Sequence, residues 1–168
     1  MKKTISLLLT IFTVVNMCNA QNFIQKGADI NGEAANNQSG RSVSMPDNNT
    51  VAIGAINNDG NGTDAGHVRI YRWNPANGGI WVQKGNDIDG ESANDLSGFS
   101  VCMPDSNTIA IGAVSNDGAG SNSGHVRIYR WNSASGGTWV QIGTDIDGEA
   151  ADDGSGGSIS MPDSNTVA

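Results

Sequence analysis

Apolar residues in this chain come in short runs rich in β-branched and aromatic side chains, and clusters of Gly, Asn, Asp and Ser separate one run from the next. That punctuation predicts strands and turns, here at about Ser100–Met103, Thr108–Ala113, His125–Trp131 and Thr138–Ile142. No segment carries a helical period. In the run Thr50–Ala55, alternation puts Val51 and Ile53 on one side and Ala52 and Gly54 on the other. A bulky face and a nearly bare one can nest, which predicts sheets covered on both sides rather than sheets with one wet face.

The connections are mostly too short for a parallel crossover, so the strands are expected to pair antiparallel. Pro104-Asp105-Ser106-Asn107 suits a tight turn between the first two strands, and Gly136-Gly137 one between the third and fourth. The corresponding residues Pro46 to Asn49 and Gly78-Gly79 lie 58 positions earlier, because the whole pattern is duplicated. Residues 23–80 and 81–138 align without a gap, with 38 of 58 positions identical, and a further copy opens at Trp139.

A repeat of this length marks a unit that cannot bury its apolar face alone and stacks on its neighbours. Four short antiparallel strands make one propeller blade. The expected organisation is all-β, with tandem four-stranded antiparallel blades of a β-propeller, incomplete at about two and a half blades. Residues 21–40 supply a leading strand (Phe23 to Lys26) and loop, 41–98 and 99–156 a blade with its link, and 157–168 the start of a truncated third blade. The run stops at Thr166-Val167-Ala168, where the pattern predicts Ile-Gly-Ala next.

Residues 1–20 have the three parts of a secretory signal peptide: Lys2 and Lys3, an apolar stretch from Ile5 to Val15, and a small-x-small site at Cys18-Asn19-Ala20. The apolar stretch is too short to span a bilayer. Lipidation at Cys18 competes with simple cleavage, but Met17 is bulky where such signals want a small residue. The chain is therefore expected to be secreted or held at the cell surface, with no membrane insertion after cleavage. Loss of the leader leaves 7 basic and 17 acidic side chains, a formal charge of −10. Such a field repels phosphate backbones, which argues against nucleic acid as a partner. Cys102 is then the only cysteine, and its equivalents are Ser44 and Ser160. No intrachain disulfide can form, and Cys102 reads as a small buried side chain.

The order SGFSVCMPDSNTIAIGA, then a Gly-rich loop, then GHVRIYRW, resembles FG-GAP-type repeats, the blades of integrin-like β-propellers found in many secreted bacterial proteins. Gly98-Phe99 stands where the family has Phe-Gly, with Gly40-Arg41 and Gly156-Gly157 in the other copies. The resemblance implies adhesion or ligand recognition at a propeller surface, and calcium in an Asp-rich loop between the first two strands. Here that loop is only PDNN or PDSN, so the calcium site does not carry over.

Other oxygen-rich positions lie in the links, Asp29-Ile30-Asn31-Gly32-Glu33 and its copies. Asp87, Asp89 and Glu91, and again Asp145, Asp147 and Glu149, place alternate oxygens around a glycine. They could wrap calcium, which takes six to eight oxygens in irregular geometry. The same residues also suit a turn held by Asp side chains. No other cofactor is indicated. The loop Asn58 to Asp64 resembles an oxygen cage, but its copy, Asn116 to Asn122, loses two candidate ligands. His67 and His125 open the third strand of each copy with no nucleophile at a fixed spacing. Trp73 with Trp81, and Trp131 with Trp139, flank hairpins as sugar-stacking platforms or as packing, and packing is favoured. These features predict a non-catalytic module that binds an extracellular protein or glycan. A hydrolase or lyase on a propeller scaffold and a structural spacer are the alternatives.

Overall fold

The computed structural model describes residues 23–168, so the signal peptide expected over residues 1–20 lies outside the described residues. Ten strands form two sheets of the same design. The first contains β1 (Ser39–Asp47), β2 (Thr50–Ala55), β3 (His67–Asn74), β4 (Ile80–Gln83) and the two-residue β5 (Ile88–Asp89). The second contains β6 (Ser97–Asp105), β7 (Thr108–Ala113), β8 (His125–Asn132), β9 (Thr138–Gln141) and β10 (Ile146–Asp147). In each sheet four consecutive strands pair antiparallel as a meander, the arrangement of a propeller blade. Among the described residues no helix is long and apolar enough to cross a membrane.

Three details depart from the sequence reading. The opening strand of each blade begins at Ser39 or Ser97, earlier than expected, because register shifts after Ser39 and Ser97 let an irregular segment join the ladder. A single 3-10 turn enters the connection between the third and fourth strands, Ala76–Gly78, which takes in the first glycine of its pair, or Ser133–Ser135, which the glycine pair follows. The leading segment Phe23 to Lys26 is not a strand. It is the counterpart of Trp81 to Lys84, but no third strand precedes it among the described residues, and an edge segment without a partner has no ladder to join.

The turn chemistry between the first two strands is as expected. Asp47 Oδ1 accepts from the Asn49 amide at 2.6 Å, and Asp105 Oδ1 from the Asn107 amide at 2.6 Å. Asp163 repeats the bond to Asn165 at 2.8 Å in the third copy. That copy closes as a short hairpin in which the Ser160 and Ala168 backbones exchange two hydrogen bonds. In all three copies the aspartate thus caps its own turn.

The core lies between sheets, where the nesting of bulky and bare faces is realised. Ala52, Val68 and Ile70 of the first sheet pack against Met103, Ile109 and Ile111 of the second. The next layer repeats the contact one copy on, with Ala110 and Val126 against Met161 and with Cys102 and Ile159 at its margin. Cys102 is half-buried rather than fully buried. Gly54 and Gly112 show why one face must be bare: a Cβ at Gly54 would stand 2.2 Å from the Gly98 carbonyl oxygen, and one at Gly112 2.0 Å from that of Gly156. The carbonyls approached in this way are held by serines, Ser42 Oγ donating to Gly98 O and Ser100 Oγ to Gly156 O, each at 2.7 Å.

Candidate functional site

The links and the Gly-rich loops come together at one end of the blades. The residues Asp-Ile-Asp do not form an isolated turn: Ile88 and Asp89 pair with Val68 and His67 as a short strand on the edge of β3, and Ile146 and Asp147 pair with Val126 and His125. Asn61 Nδ2 then donates to Gly90 O at 2.8 Å and Glu91 O at 3.0 Å, tying loop to link. Within the loops, Asp59 Oδ1 accepts from the Asp64 amide and Asp117 Oδ1 from the Asn122 amide, both at 2.8 Å. These aspartates shape their own loops by capping the backbone.

The link carboxylates do not converge on one point. Asp87 and Asp89 face His67, whose Nδ1 lies 3.4 Å from Asp87 Oδ2 and 4.0 Å from Asp89 Oδ1. Glu91 turns to the next blade and meets Arg127. Asp145 lies 3.6 Å from His125 Nδ1, Asp147 approaches Gly118 in the neighbouring loop, and Glu149 is exposed. A calcium ion wrapped by one link would require Asp87, Asp89 and Glu91 to point together, and a strand followed by a bend between blades separates them.

What the fold gathers instead is one residue from each of three segments: Glu33, His67 and Asp87, and one repeat later Glu91, His125 and Asp145. In each trio the three candidate ligand atoms lie within 4.8 Å of one another. The sequence reading names both histidines but does not group them with these acids. The available signal was a fixed spacing, acid to histidine 34 residues and histidine to acid 20, kept in both copies. Both imidazoles are buried, His67 with 1 % of its side chain exposed, and neither Nδ1 has a hydrogen-bond partner. Burial pushes both below the usual histidine range, against the pull of the neighbouring carboxylates.

The two trios differ in the arginine beside them. Arg127 forms a bidentate pair with Asp145, Nε to Oδ1 at 2.9 Å and NH2 to Oδ2 at 2.7 Å, and also meets Glu91. Burial opposes the charge on Arg127, but these bonds outweigh it and raise its pKa, while the same bonds hold the Asp145 carboxyl below the ordinary range. Arg69 instead donates to the Asn31 carbonyl at 2.9 Å and stays 3.6 Å from Glu33. Near Asp87, burial first and the Asp87 charge second push Asp89 above its usual range.

The tryptophan pairs are packing elements. Each pair meets edge to face with centroids 5.3 Å apart, and the indoles of Trp81 and Trp139 donate to Lys26 O and Lys84 O. Lys84 Nζ stands 4.8 Å from the Trp131 centroid and 5.0 Å from that of Trp139, and donates to Asn107 Oδ1 at 2.8 Å. These bonds fasten one blade to the first turn of the next.

Comparison with curated proteins found no match to the chain. Comparison with protein families matches residues 31–71 to the FG-GAP repeat, a stretch running from the first link through β1 and β2 into β3. Its register, its Asp-capped turn and its bare central glycine all return 58 residues later. Residues 31–71 of this chain are an FG-GAP repeat.

Proposed function

We propose that the chain is a secreted or cell-surface recognition module that binds an extracellular protein or glycan along the rim formed by its links and Gly-rich loops, with no catalysis of its own. The observation that carries this reading is the sameness of the loops. Gly66 N donates to Asn58 O and Gly124 N to Asn116 O, both at 2.9 Å, and the aspartate caps at Asp59 and Asp117 are equal in length. A binding array repeats its loops, whereas an enzyme on such a scaffold breaks the repeat with unusual polar residues in one place. The acidic rim also favours basic or neutral partners over nucleic acid.

Probing an array of extracellular-matrix proteins and glycans with the purified chain tests the proposal. Binding that is weakened in the loop variants Asp59→Ala and Asp117→Ala, with folding checked by circular dichroism, supports recognition at the rim. Retention of nothing on the array favours a spacer, and turnover of a retained glycan favours the hydrolase alternative.

A further inference from the structure

We infer that Glu33, His67 and Asp87 bind one borderline divalent cation of the zinc type, with His67 Nδ1 as its nitrogen ligand. This inference is independent of the recognition reading. Buried polar atoms in folded proteins are almost always partnered, and an exception calls for a role such as an unrepresented ion. His67 Nδ1 is such an atom, aimed into carboxylates 3.4 Å (Asp87 Oδ2) and 3.9 Å (Glu33 Oε2) away. Ligand atoms about 2 Å from a shared tetrahedral zinc lie a little over 3 Å from one another, so small side-chain movements suffice.

The carboxylates are oriented from behind. Gln83 Nε2 donates to Asp87 Oδ1 at 2.5 Å, which leaves Oδ2 toward the imidazole. Asn58 Nδ2 donates to Glu33 Oε2 at 3.1 Å, which fixes that arm while lone pairs remain. Outer partners of this kind hold metal ligands in place. One nitrogen and two carboxylate oxygens suit zinc better than calcium, which prefers oxygen alone. The trio of His125 is the built-in control, because Arg127 already neutralises Asp145 and Glu91. With a guanidinium seated among its oxygens, that trio binds no second ion.

Calorimetric titration of the untagged full chain with zinc chloride and with calcium chloride tests this directly. The expected result is one equivalent of zinc, with calcium weaker by ~10-fold or more. Glu33→Gln and Asp87→Asn, near-isosteric changes at partly exposed positions, should each weaken zinc by ~10-fold or more, while Glu91→Gln leaves it unchanged. Nitrogen NMR gives a second readout: the Nδ1 signal of His67 should move on zinc addition, and that of His125 should not. Absence of zinc binding, equal binding in Glu33→Gln and Asp87→Asn, calcium binding as tight as zinc, or a response at His125 alone would each overturn the inference.

Discussion

At the scale of single residues, Lys84 concentrates the physics of the seam. Burial first, with Arg72 adding to it and Asp105 and Asp47 opposing, pushes its ammonium down to about 8 from 10.5. A lysine depressed in the folded state means that between about pH 8 and 10.5 the unfolded chain holds a proton that the folded chain has released, so stability rises with pH across that window. The two indole faces favour the charged form and limit the effect. Urea unfolding from pH 7 to 10.5 should therefore show the wild type gaining about 1 to 3 kcal/mol over Lys84→Met between the ends of that window, with a flat difference below pH 8. The comparison cancels Tyr71 and Tyr129, which burial pushes up and which both proteins share. Asp105 offers a simpler case. Its side chain caps the Asn107 amide, so Asp105→Ala should lower unfolding free energy by about 1 kcal/mol, as loss of a helix cap does. Glu149→Ala, at an exposed carboxylate of the third link, should change it by less than about 0.5 kcal/mol.

At the scale of elements, the second strand of each blade was the most legible part of the sequence, and the link the least. The alternation in Thr50–Ala55 named the bare face correctly, because period-two patterning is a direct record of which side meets a neighbour. The consequence is that Gly112→Ala, whose new methyl would collide with the Gly156 backbone, should cost about 1 to 3 kcal/mol in urea unfolding. Gly157→Ala, where the nearest atom is 3.5 Å away, should be tolerated. The two-residue strands β5 and β10 were not legible, since Asp-Ile-Asp-Gly has the composition of a turn. Their pairing with β3 and β8 is a tertiary fact, and it alone places Asp87 beside His67. The surroundings of the histidines were hidden for the same reason: a residue repeated at a strand start does not show which carboxylates the incoming link will set against it.

At the scale of the whole molecule, three methionines occupy one position of the repeat and test whether the sheets act as stacked blades. Met103 is 4 % exposed against the first sheet, Met161 is 7 % exposed against the second, and Met45 is 54 % exposed because no blade covers it among the described residues. Chemistry and local strand are the same, so any difference in cost comes from the neighbour. In a stacked array stability is a sum of unit terms and nearest-neighbour interfaces. Met103→Ala removes buried volume from such an interface and should cost about 2 to 5 kcal/mol, whereas Met45→Ala should cost less than about 0.5 kcal/mol. The unfolding transition, followed by urea titration with tryptophan fluorescence, should shift to lower denaturant only for Met103→Ala. Equal costs at the two sites would mean that the sheets fold without leaning on one another. The nested faces, the serine bonds across the seam and the Lys84 clamp would then be contacts without consequence for stability.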